Sequence, residues 1–163
     1  MNIKIKNHFL LYKGYKLKCC IGKSGLNSSK KEGDLTTPKG KFGLGTIYFR
    51  KDRIKDFKCK LNKKVIRKKM GWCNDVRSKK YNQEINFQFK YEAEKLYRKS
   101  KNYDLLINIK YNQSPTIKNK GSAIFLHIAK KNYTPTKGCI AVSKKDLKLL
   151  LKFIDKKTKL IVN

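Results

Sequence analysis

Acidic residues are scarce in this chain: 11 Asp and Glu stand against 42 Lys and Arg over 163 residues, a formal net charge of +31. Arginine is scarce too, only five of the basic residues. A dedicated nucleic-acid reader is expected to keep more, because the planar guanidinium grips phosphate and guanine bidentately where lysine offers a point charge. Long apolar runs are missing. The longest, such as Ala123-Ile124-Phe125-Leu126, is about four residues, far short of the ~20 that span a bilayer. The first residues, Met1-Asn2-Ile3-Lys4-Ile5-Lys6, alternate and never offer the apolar stretch of a secretory signal. The expectation from this sequence alone is a cytoplasmic chain without a membrane span. Cysteine is limited to Cys19, Cys20, Cys59, Cys73 and Cys139, an odd number with no C-x-x-C pair and no Cys/His ligand spacing. Zinc ribbons, thioredoxin-like pairs and a disulfide framework are therefore poorly supported, and free thiols are expected.

What is present is enough for a core. Leu, Ile, Val and Phe make up 43 residues, about 26% of the chain, above the roughly 20% below which a highly charged chain stays disordered. One domain over 1–163 is the economical expectation. The charge is carried by 37 lysines beside 13 Asn and 15 Ile, the signature of an A/T-rich genome. Its field attracts polyanions in a salt-dependent manner. A non-enzymatic basic module for nucleic acid or an anionic cell-wall polymer is thus the alternative to any enzyme.

Ile3–Ile5, Phe9–Tyr12 and Tyr15–Ile21 read as strands, the last two joined at Lys13-Gly14. Gly22 to Gly40 reads as a long functional loop, Phe42 to Phe49 as a strand, and Lys51 to Glu84 as irregular. The Glu94/Arg98 spacing within Tyr91–Lys99 suits a short helix. Tyr103–Tyr111 and Ser122–Ile128 read as buried strands, and Thr158–Val162 as a last one. Ser143-Lys144-Lys145-Asp146 is a capping box ahead of Leu147, Leu150, Leu151 and Ile154 at helical spacing. The expected class is mainly β with a few helices (α+β).

Chemistry points to one pair. His127 ends an apolar strand twelve positions before Cys139. An imidazole within reach lowers a thiol's pKa and supplies a proton for the leaving group, while Gly138 lets the backbone approach a carbonyl. The Gly138 and Cys139 amides are the candidate oxyanion donors. If His127 activates Cys139, that thiol is expected to alkylate faster than the other four. The carboxylates of Glu32-Gly33-Asp34 are too few for a divalent metal site, so loop architecture is their expected role. No cofactor or metal is expected. His127 and Cys139 are expected to open onto one cleft flanked by Glu32–Gly40 and Gly71–Asp75; Trp72 is expected in the core and Cys73 to be structural, with Tyr133 and Asn112 candidates to face that cleft.

Lys31-Glu32-Gly33-Asp34 with Thr37-Pro38-Lys39-Gly40, then Gly71-Trp72-Cys73-Asn74-Asp75, Tyr81-Asn82, Gly121–His127 and Thr136-Lys137-Gly138-Cys139-Ile140-Ala141, in this order, resemble the L,D-transpeptidase catalytic domain. The likeness is to its short single-domain bacterial branch. It implies a β-sandwich and a cysteine acyltransferase of peptidoglycan stem peptides, located in the periplasm or cell wall. Cys139 would attack the carbonyl of the third stem residue, usually meso-diaminopimelate. A D-alanine would leave, and the thioester would pass to an amine or, in a hydrolase of the same bonds, to water. His127 would be the base and Thr136 the family's Ser/Thr before the nucleophile. Many relatives carry a second histidine before Gly-Cys and Arg or Asn two residues after it, where this chain has Lys137 and Ala141. Lys137 and Lys31 are the candidates for the substrate carboxylate, and Tyr133 is a further substrate-binding candidate.

Overall fold

A computed structural model describes all residues, 1–163. The chain opens with β1 (Ile3–Lys6), β2 (Phe9–Tyr12) and β3 (Tyr15–Cys20), an antiparallel meander. Its two-residue turns, Asn7-His8 and Lys13-Gly14, have positive φ at both residues, the turn whose twist matches the flanking strands. The expected long loop holds a two-rung ladder of β4 (Leu26–Asn27) and β5 (Thr37–Pro38). Next come β6 (Gly40–Phe49), β7 (Lys63–Val65), β8 (Met70–Cys73), β9 (Glu84–Asn86) and β10 (Ala93–Lys95). A 3-10 turn at Lys101–Tyr103 leads into β11 (Leu105–Lys110), β12 (Phe125–Ile128), β13 (Ile140–Val142), α1 (Lys144–Phe153) and β14 (Lys159–Val162).

The mainly β expectation holds, with a single α-helix. The arrangement departs from two sheets facing each other. β11, β12, β13, β3, β2, β1, β14 and β6 are hydrogen-bonded in that order, and β6 pairs again with β11, so the sheet closes like a barrel. The ten-residue β6 makes closure possible: it pairs with β14 near its start and with β11 from Gly43 onward. Such closure is a matter of which edges meet, and no local pattern encodes it.

Alternation sends Leu105, Ile107 and Ile109 of β11, Leu126 and Ile128 of β12, and Ile140 and Val142 of β13 into the interior cluster. Leu147, Leu150 and Leu151 of α1 and Ile154 just after it join this cluster, and the Ser143 hydroxyl caps that helix by accepting the Asp146 amide at 3.0 Å. The outer face of β11 and β12 carries a second cluster: Leu106 and Phe125 pack with Tyr48, Met70, Trp72, Leu96, Tyr103 and Cys139. β8, β9 and β10 form the small sheet that supplies Met70 and Trp72 to it.

Residues 91–99 form no helix. Arg98 does reach Glu94 at 2.5 Å, but the backbone is paired as β10 with β8 and Leu96 is fully buried. Tertiary pairing there overrides the i,i+4 charge signal.

Candidate active site

Cys139 and His127 lie on one face of the sheet. Alternation turns Ile140 and Leu126 inward, so Cys139, Ala141, Phe125 and His127 point outward. β12 and β13 run parallel with His127 opposite Ala141, which puts Cys139 two residues along the neighbouring strand. Diagonal neighbours of this kind are typically about 7–8 Å apart.

The thiol is held by three groups. Cys139 Sγ donates to the Ala123 carbonyl at 3.2 Å, accepts from the Phe125 amide at 3.4 Å, and lies 4.0 Å from the Tyr103 hydroxyl. Burial first, and the Glu94 carboxylate next, push the thiol up to about 12, so it is protonated at neutral pH. Burial likewise pushes His127 down to about 4, against a 2.9 Å hydrogen bond from Nδ1 to the Ile128 carbonyl. A neutral imidazole with its proton on Nδ1 leaves Nε2 as an acceptor. His127 and Cys139 share no direct hydrogen bond. Tyr103 touches both: its ring packs edge-on against the imidazole at 5.1 Å between centroids.

Above the thiol stands a charged roof. The Tyr103 hydroxyl donates to Glu94 Oε1 at 2.9 Å, Arg98 Nη2 donates to the same oxygen, and the guanidinium lies 3.9 Å from the Tyr103 ring centroid. Glu94 and Arg98 are about a third exposed, whereas Cys139 is 8% exposed. The expected cleft opening onto both Cys139 and His127 is therefore closed over here. A polar cavity of about 510 Å³ lies nearby, lined by Trp72, Asn82, Glu84, Asn112 and Gln113 among others, and does not include the thiol. Asn82 connects the two, accepting from Trp72 Nε1 at 2.9 Å and from the Ala123 amide at 3.1 Å.

The backbone around the nucleophile is built by the long loop. Thr37 Oγ1 donates to the Gly138 carbonyl at 2.8 Å and accepts from the Gly22 amide at 2.8 Å. Gly138 has φ +139°, and a Cβ there would lie 2.8 Å from the Thr36 carbonyl oxygen, so only glycine fits. The Gly138 amide is occupied, donating to Thr136 Oγ1 at 3.1 Å, and Thr136 Oγ1 donates in turn to the Cys139 carbonyl. The Cys139 amide has no acceptor in the protein, which leaves it as the free donor at this turn.

The family model of the L,D-transpeptidase catalytic domain, YkuD, matches residues 3–162. The chain belongs to that family. No curated protein and no solved structure matches the chain. The YkuD family acts on peptidoglycan stem peptides, which makes the outer face of β12 and β13 the place to read this member's chemistry.

Within this YkuD domain the remaining candidates are spread unevenly. Lys137 and Lys31 are exposed, and Tyr133 sits under the Lys18 ammonium at 4.9 Å from its ring, with no contact to His127. Asn112 faces its own turn, donating to the Ile117 and Gly121 carbonyls. Glu32 accepts from the Tyr81 hydroxyl, and Asp34 accepts from Lys30 Nζ at 2.6 Å and from the Thr36 and Lys31 amides. These contacts hold the Asp34 carboxyl well below the ordinary range despite burial, and both acids shape the loop. Trp72 is core, wedged edge-on between Tyr48 and Phe125. Cys73 is fully buried. Sequence reasoning missed Tyr103, Glu94, Arg98 and Lys30. The Glu94/Arg98 spacing fits a helix face as well as the turn after β10, and nothing local ties Tyr103 to a thiol 36 residues away.

Proposed function

We propose that this chain, as one catalytic domain over 1–163, is an L,D-transpeptidase-type cysteine acyltransferase acting on stem peptides from outside the cytoplasmic membrane, in the periplasm or cell wall. In this reading Cys139 Sγ attacks the carbonyl of the third stem residue and its proton passes to His127 Nε2. The C–S bond forms, the C–N bond to D-alanine breaks, and the proton leaves on the departing amine. An acceptor amine then attacks the thioester: a C–N bond forms, the C–S bond breaks, and the proton lost by the attacking amine passes through His127 back to sulfur. The developing oxyanion is received by the Cys139 amide, worth roughly 10²–10³ in rate for a well-placed donor.

The observation that carries this reading is the shared outward face of Cys139 and His127, with the Cys139 amide unengaged beside them. With Ala141 where relatives place Arg or Asn, we assign the substrate carboxylate to Arg98, the guanidinium stacked on the tyrosine that touches the thiol. Peptide binding displaces the Arg98–Glu94 roof and uncovers Sγ. Lys137 and Lys31, both exposed, steer anionic peptide toward the site.

Incubation with purified disaccharide-tetrapeptide, followed by mass spectrometry, tests the reading. Transfer gives crosslinked dimer or exchange of the terminal D-alanine for an added D-amino acid. Loss of D-alanine with neither product assigns the hydrolase instead, and turnover that survives Cys139→Ala removes the enzyme reading altogether.

A further inference from the structure

The lysine excess has no task in the acyl-transfer chemistry, yet part of it is ordered. Strand register aligns Lys41 of β6, Ile161 of β14, Lys4 of β1, Leu11 of β2 and Lys16 of β3 in one row across five strands. The next row aligns Lys6, Phe9 and Lys18, and Lys159 lies beside Ile161 on the other side. Burial alternation turns all of these outward: Ile3, Ile5, Leu10, Leu17, Leu160 and Val162 take the interior positions.

Six lysines thus share one sheet face, none in an ion pair, and β1, β2, β3, β6 and β14 contain no carboxylate. The first acidic residue of the whole chain is Glu32. Between the lysines stand the half-exposed Phe9, Leu11 and Ile161, and Lys16 Nζ lies over the Phe9 ring at 4.4 Å.

We propose that this face docks on a bilayer surface rich in anionic phospholipid. Sheet geometry spaces the ammonium groups about 7 Å along a strand and about 10 Å across two strands, a two-dimensional array rather than a single track. An array suits a plane of headgroups, whereas a phosphate polymer is followed by a groove lined with stacking aromatics. Lysine stems and interleaved apolar side chains enter the interfacial layer together while the ammonium groups stay at phosphate level. In the ring of eight strands, β1 at the centre of this face is four strands from β12 in either direction. Docking by β1 therefore turns His127 and Cys139 away from the lipid.

Sedimentation of the full chain with vesicles of equal parts phosphatidylcholine and phosphatidylglycerol tests the proposal. The face variant carries Lys4→Gln, Lys6→Gln, Lys16→Gln and Lys18→Gln; a control of equal charge carries Lys79→Gln, Lys80→Gln, Lys118→Gln and Lys120→Gln. At about fivefold per lysine next to an anionic surface, the face variant is expected to partition on the order of several hundred-fold more weakly than wild type. The control stays within a few-fold, Lys→Arg at the four face positions restores binding, and phosphatidylcholine alone retains none of the proteins. Equal losses in the two variants overturn the proposal, because general charge then suffices. A face variant that keeps the vesicles but loses single-stranded DNA also overturns it, in favour of a soluble polyanion.

Discussion

Acidification is expected to destabilise this protein through His127. The imidazole titrates near 6.5 in an unfolded chain and is pushed down to about 4 here by burial between β12 and the Tyr103 ring. Below pH 6.5 the unfolded chain takes up a proton that the folded chain refuses. The contribution is therefore fully present above about 6.5 and is lost as pH falls toward about 4. A shift of this size corresponds to about 3 kcal/mol in full, of which about 2 kcal/mol disappears between pH 7 and pH 5. Urea denaturation of wild type and His127→Asn at both values isolates it, because asparagine keeps a donor for the Ile128 carbonyl and does not titrate. Wild type is expected to lose about 2 kcal/mol more than the variant over that interval. Parallel losses would show that His127 is solvated, and with that the buried, neutral base would be gone.

Three further outcomes follow from the same geometry. Mass-mapped alkylation of the resting protein at neutral pH is expected to reach half-buried Cys59 first and Cys139 slowly, since burial keeps the Cys139 thiol protonated; preferential labelling of Cys139 without peptide refutes the closed roof. Gly138→Ala is expected to lower kcat/KM at least about 100-fold, by driving a Cβ into the Thr36 carbonyl and displacing the Cys139 amide; unchanged turnover would remove that amide from the mechanism. Arg98→Gln is expected to raise KM for stem peptide about 10–100-fold with a smaller change in kcat, the usual worth of a hydrogen bond to a charge; an unchanged KM assigns the carboxylate to another residue.

The sequence was most legible where a local rule and the tertiary need agreed. The apolar register of residues 105–110 and 125–128, the capping box at Ser143 and the Lys13-Gly14 turn each carry a short-range signal that the fold obeys. β8 was hidden because its four residues are all buried and so lack alternation. The helix expected at 91–99 failed because Glu94 and Arg98 meet equally well where the chain bends out of β10. At the site, motif order named Cys139, His127 and Gly138. Fast alkylation of Cys139 is not the outcome the structure favours at rest, because Tyr103 and Glu94, brought over Cys139 from the β10 to β11 segment, bury it and raise its pKa. Of the two amides the sequence offers as oxyanion donors, that of Gly138 is occupied by Thr136 Oγ1 and that of Cys139 has no acceptor in the protein.

The proposed function rests on Cys139 forming a thioester with a stem peptide. Intact-protein mass spectrometry after rapid acid quench, with tetrapeptide in excess, measures it directly. The expected result is an adduct equal to the disaccharide-tripeptide acyl group, localised by peptide mapping to Cys139, absent in Cys139→Ala and slow to accumulate in His127→Ala. An unmodified protein that nevertheless turns the peptide over, or an adduct on another cysteine, contradicts it.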